Sequence, residues 1–322
     1  MLNTTHLVDP ELAQALAGAP SLKPTAESLP TLRAFMVGYR AAAPPAPAEV
    51  TVEERLLPRA DGTALRVLVY APAAPTRTGA LLWLHPGGMV MGFAEMNEPQ
   101  SRFLAHTLGC VVVAVDYRLA PEHPYPAGVE DGYLALRWLH DASAALHFPA
   151  ARIAVAGESG GGSLAAALAL LARDRGEVAL SAQFLQYPML DDRTGTPAEP
   201  DPMPYAGEFI WTRADNRFAW GAVLGHAPGG PDAPAYAAPA RVEDLAGLPP
   251  TYLLVGALDL FVGENLQYAQ RLIRQGVPTE LHVYAGAYHA FTSFGGEAQV
   301  GQRAKQDFWR AMARHFRGHG QL

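Results

Sequence analysis

Residues 153–172 leave few folds open to this chain. Ile153-Ala154-Val155-Ala156 is a short apolar run, Gly157-Glu158-Ser159-Gly160-Gly161-Gly162 is a glycine-crowded turn with a serine at its tip, and Ser163 to Ala172 is rich in helix formers. A buried strand that passes through such a turn straight into a helix has the shape of a nucleophile elbow, G-x-S-x-G, with the serine held on a strained backbone at the end of a sheet; the plain alternative is a glycine-rich strand-to-helix turn that only packs. Gly157 and Gly161 flank the serine because a β-carbon there would collide where strand and helix nearly touch. The turn is no phosphate cradle. Ser159 occupies the second glycine position of G-x-G-x-x-G counted from Gly157, and no Gly-Lys-Ser/Thr follows as in a P-loop.

The rest of the chain suits that junction. Strand-like runs at 80–84, 111–115, 153–156, 183–187, 251–255 and 281–284 alternate with helical patterns at 99–107, 129–140, 160–173, 262–275 and 300–317. Alternation of this kind predicts a mostly parallel sheet with helices on both faces and a ligand site at the carboxyl ends of the strands. Two further strands, 50–57 and 65–70, are joined through Asp61-Gly62, a hairpin signal. Amphipathic helices are expected at 10–17 and 29–39, and residues 41–48, rich in Ala and Pro, read as a linker. Residues 192–245 are too long for a plain connection, so they are expected to be an insertion folded over the site.

Composition excludes several classes. A net charge of −7 and a pI near 5.9 argue against a nucleic-acid partner. No window reaches the apolar length of a membrane span, and Met1 to His6 lacks a basic secretory n-region, so a cytoplasmic protein is expected. The lone cysteine, Cys110, opens an apolar strand and reads as a buried thiol.

A serine hydroxyl needs a base. Of eleven histidines, His289 lies just past the last strand, on the rim where Ser159 should emerge, whereas His282 lies inside a strand. The third group must orient the imidazole. Asp259 follows the penultimate strand; Asp191 and Asp192 follow the strand before it and compete for the role, and Glu264 is expected to brace the site. The strand 80–84 ends in His85-Pro86-Gly87-Gly88, so the amides of Gly87 and Gly88, with that of Gly160, are candidate oxyanion donors. Met89, Met189, Phe209, Trp211, Phe35 and Met36 are candidate pocket residues, and no metal set is expected.

Several motifs, in order, carry a resemblance. His85-Pro86-Gly87-Gly88 is similar to HGGG, Asp116-Tyr117-Arg118-Leu119-Ala120-Pro121-Glu122 matches DYRLAPE, and Gly157-Glu158-Ser159-Gly160-Gly161-Gly162 is similar to GDSAGG. Asp259-Leu260 stands where an Asp-Pro-Leu acid motif stands, and His289-Ala290-Phe291 is similar to HGF. From about residue 45 onward the chain resembles the bacterial hormone-sensitive-lipase-like (family IV) esterases. The resemblance implies an α/β-hydrolase fold, a mostly parallel eight-stranded sheet with helices on both faces and a helical cap. The cap would comprise 1–45 and 193–245, over a core of 46–192 and 246–322.

It also implies hydrolysis of short- to medium-chain carboxylic esters through an acyl-enzyme, without a cofactor. A small-molecule ester, no nucleic acid and no membrane, and in many members a homodimer, are the partners it implies. Amide, carbamate or formamide hydrolysis on the same triad is the near alternative. A ligand-binding member, such as the plant gibberellin receptors that lost the histidine, is the further one, and His289 argues against it. Pro86, Glu158, Gly160, Leu260, Ala290 and Met89 depart from the family pattern without removing a catalytic group. Asp116 and Arg118 are expected to form a buried, mutually satisfied pair.

Overall fold

The computed structural model describes residues 3–19, 22–40, 49–73 and 77–317. The expected linker at 41–48 lies outside them. Two short helices open the chain, α1 (Pro10–Leu16) and α2 (Leu29–Arg40). Asp9 caps α1, its carboxylate accepting from the amides of Glu11 and Leu12, and Pro10 fills the first turn where no N–H is needed. The hairpin β1 (Val50–Pro58) and β2 (Ala64–Pro72) is antiparallel, as Asp61-Gly62 predicts.

The chain then alternates: β3 (Ala80–Leu84), α3 (Glu98–Leu108), β4 (Val111–Val115), α4 (Ala127–Asp141), β5 (Ile153–Glu158), α5 (Gly160–Arg175) and β6 (Ala182–Gln186). After a long excursion carrying α6 (Arg213–Leu224) come β7 (Thr251–Gly256), α7 (Val262–Arg274), β8 (Thr279–Tyr284), α8 (Phe291–Phe294) and α9 (Gln299–Arg317). The sheet order is β1-β2-β4-β3-β5-β6-β7-β8, parallel from β4 to β8. This is the α/β-hydrolase fold.

Strand periodicity divides the core in two. Leu82 and Leu84 face one apolar layer with Leu136 of α4 and Leu168 of α5. Leu81 and Trp83 face the other, with Leu104 of α3 and Phe308 of α9. Both faces of the central strands are therefore covered, which is why β3 and β4 read as unbroken apolar runs. Helix α5 is buried from Gly160 to Ala172, and small alanines let it pack between sheet and neighbours. Cys110 is fully buried among these side chains, and burial pushes its thiol up to about 12.

The Asp116–Arg118 expectation is corrected. Arg118 donates to Asp131, at 3.0 Å to each carboxylate oxygen, and Arg59 shares that carboxylate at 2.7 and 2.9 Å. Asp116 instead accepts from the Ala94 amide at 3.1 Å and pairs with Arg66. The Asp131 carboxylate of α4 is 1% exposed and takes both Arg118 and Arg59, so Arg118 is committed there and Asp116 finds separate partners. Among the described residues, no helix is long and apolar enough to cross a membrane, and no cluster of three His, Cys, Asp or Glu could hold a metal.

Candidate active site

Ser159 sits between β5 and α5 at φ 56° and ψ −119°, where a side chain is strained. The strain is held from both sides: the Ser159 amide donates to the Gln186 carbonyl and the Ser159 carbonyl accepts from Met189. The glycines behave as the close approach requires. A β-carbon on Gly157 would run into the Gly161 carbonyl, and one on Gly161 into the Leu84 carbonyl.

Two crossing loops bring the other members together. The Leu258 amide donates to the Ala287 carbonyl at 2.9 Å, tying the loop after β7 to the loop after β8. Asp259 and His289 project from these loops. His289 Nε2 lies 2.9 Å from Ser159 Oγ, and His289 Nδ1 lies 2.8 Å from Asp259 Oδ2. The other oxygen of Asp259 accepts from the Phe261 amide, which fixes the carboxylate. The imidazole is held edge-on by Tyr187 and Phe261, with ring centroids 5.1 and 5.0 Å away. Asp191 and Asp192 are elsewhere engaged, with Arg193 and Arg241. Glu264 lies under the loop after β6, where its carboxylate accepts from the Leu190 amide and Thr194 hydroxyl; burial holds its pKa well above the usual range.

The loop that carries Gly87 and Gly88 packs directly on the elbow. A β-carbon on Gly160 would lie 2.7 Å from the Met89 nitrogen and 2.8 Å from that of Gly88. The glycine at 160 therefore permits a contact that alanine would force apart. His85 supports the loop from beneath: its Nδ1 lies 2.8 Å from the Pro86 carbonyl oxygen, and its ring stacks on Tyr117 at 4.1 Å. Burial pushes its pKa down to about 4, so it stands as a neutral prop.

A cleft of about 90 Å³ opens over Ser159 and His289. Met36 and Trp211 line it, with Gly87 and Gly88. Four expected pocket residues do not. Phe35 is half-exposed on the far side of α2, and Met189 is fully buried in the core. Phe209 packs against Tyr288, and Met89 faces a second cavity behind the loop of Gly87 and Gly88 with Leu164 and Val223. The lining residues missed by sequence reasoning include Leu22, Asn97, Ile210 and Ser293, together with Glu158 itself. Glu158 accepts from Tyr187 at 2.9 Å, Ser293 at 2.8 Å and Asn97 at 3.2 Å. A buried acid beside the serine was the available signal.

Comparison with known proteins agrees with this architecture. A family model of the alpha/beta hydrolase fold matches residues 81–293. Esterase LipI of Mycobacterium tuberculosis is 36% identical over 233 residues, 71% of each chain. Carboxylesterase NlhH of the same species is 33% identical over 297 residues, 89% of each chain. Among solved structures, a bacterial heroin esterase superposes with a TM-score of 0.89 at 37% identity, covering 98% of this chain and 100% of that one. Esterase LipW from Mycobacterium marinum gives 0.84 at 35% identity over 98% of both. The chain belongs to the hormone-sensitive-lipase-like branch of the alpha/beta hydrolase family and is a carboxylic ester hydrolase.

Proposed function

We propose that the chain hydrolyses short-acyl carboxylic esters with Ser159 as nucleophile, His289 as base and acid, and Asp259 as its orienting partner. The observation that carries the reading is the continuous line of hydrogen bonds from Ser159 Oγ through the imidazole to Asp259. Ser159 Oγ attacks the ester carbonyl carbon while its proton passes to His289 Nε2. Negative charge gathers on the former carbonyl oxygen, and the amides of Gly87, Gly88 and Gly160 stabilise it; none of the three donates to another backbone carbonyl among the described residues. The C–O bond to the alcohol then breaks, and His289 returns the proton to the leaving oxygen. Water, deprotonated by His289, attacks the acyl-enzyme, and the acid leaves with Ser159 restored.

The walls support the reading of a short acyl group. His289 must reach the leaving oxygen, so the alcohol portion lies on the His289 side and the acyl chain on the other. The Trp211 indole closes the cleft over Gly88: its Cη2 would stand 2.6 Å from a β-carbon there with Ala219 beside it, and its ring lies 6.3 Å from that of His289. A wall this near the candidate oxyanion amides favours acetyl and propionyl groups over longer ones. The helices α1 and α2 and residues 193–245 act as a cap: Met36 and Trp211 form the upper walls, and Thr4 hydrogen-bonds Glu208 across the two segments. Labelling by a fluorophosphonate tests the assignment. Adduct on Ser159 is expected; adduct elsewhere, or none in an active sample, removes it.

A further inference from the structure

The wall below His289 holds a polar corner that the triad chemistry does not use. Glu158 is 2% exposed, yet no cation pairs with it among the described residues, and no Lys or Arg lines the cleft. Its three partners, Tyr187, Ser293 and Asn97, are all neutral donors. An ionised carboxylate offers about four acceptor positions. Here Oε1 receives two donors and Oε2 one, so one position on Oε2 is open. Asn97 points its amide nitrogen at Glu158, as a carboxylate requires, which leaves its Oδ1 buried with no partner. Gln100, one turn on, also has an unpaired Nε2 but does not line the cleft. Glu158 Oε2 thus keeps one open acceptor position at the cleft wall, and the Oδ1 of Asn97 beside it is buried without a donor. Leaving such groups unpaired is costly, so a cation placed there would be held firmly.

The corner shares a wall with His289, Ala290 and Ser293, the side assigned above to the alcohol portion. We infer that Glu158 and Asn97 form a recognition site for a positively charged group on that portion, so that the enzyme favours esters of amino alcohols over neutral esters of the same shape. The inference rests on the triad reading, which fixes which side the alcohol occupies.

The test uses two acetates that differ in one atom and its charge: 2-(dimethylammonio)ethyl acetate, whose N–H can donate, and 3-methylbutyl acetate. For each protein the cationic-to-neutral ratio of kcat/KM is taken, so a general loss of activity cancels. The wild-type ratio should exceed that of Glu158→Gln by about tenfold or more, the scale of one charge-assisted contact. Glu158→Asp, which keeps the charge, should retain much of the preference. Asn97→Leu, which removes the second acceptor together with one donor to Glu158, should lower the ratio in the same direction and serves if the Glu158 variants do not fold. Equal ratios in wild type and variants would overturn the inference while leaving the triad reading intact. Failure of the wild type to cleave either acetate and a nitrophenyl acetate would overturn both.

Discussion

Ser159 Oγ and His289 Nε2 stand 2.9 Å apart, although 130 residues separate them along the chain. Both side chains are buried, so the contact is not a surface accident. If this pair performs the chemistry, Ser159→Ala should lower kcat on nitrophenyl acetate by about 10⁴-fold or more. Urea unfolding should show the variant folded. Residual turnover within tenfold of wild type would remove Ser159 from the mechanism.

Gly160 gives a sharper test of the oxyanion loop. Its side-chain space is occupied by the backbone at Gly88 and Met89. Gly160→Ala must push that loop outward, away from the position where charge develops. A drop in kcat of about 10²-fold is expected, comparable to losing one oxyanion donor, with a smaller change in KM. Steady-state kinetics on acetyl and propionyl esters would decide it.

Trp211 should set acyl length. It closes the cleft over Gly88, and behind the oxyanion loop lies the second cavity lined by Met89, Leu164 and Val223. Trp211→Ala is expected to raise the hexanoyl-to-acetyl ratio of kcat/KM by about tenfold, the worth of burying roughly two methylenes. A wild-type optimum at long acyl chains would contradict the closed wall.

His85 should make the protein sensitive to acid. Its pKa falls from an ordinary 6.5 to about 4 because burial disfavours the charged ring. The unfolded chain therefore takes up a proton before the folded one does. Stability is full above pH 6.5, declines as pH falls toward 4 and levels below it, by an amount of the order of 3 kcal/mol for this residue. Urea midpoints at pH 7 and pH 4.5 should differ less in His85→Gln than in wild type.

Much of this was readable before any coordinates. The limits of β3 and β4 follow from their apolar runs, since strands covered on both faces admit little else. Asp259 and His289 follow from chain order, because strand ends in a parallel sheet share one rim. The pocket walls were less legible. Ile210 has a φ of 62° and Met89 one of 61°, and each reversal changes which neighbour faces the cleft. Phe209 turns outward to Tyr288 while Trp211 turns inward, a choice no hydrophobic pattern encodes. The partners of Arg118 and Glu158 were hidden for a related reason: Asp131, Asn97 and Ser293 come from distant segments that only the folded sheet brings near.

The backbone at Ser159 has one more consequence. At φ 56° and ψ −119° the residue best suited to the angle is glycine, which has no β-carbon to strain. Ser159→Gly should therefore melt at a higher temperature than the parent and, with Ser159 as the proposed nucleophile, lose its turnover. At this position thermal robustness and usefulness to the cell pull in opposite directions, and a search for hardier variants guided by melting alone would discard the enzyme's purpose first.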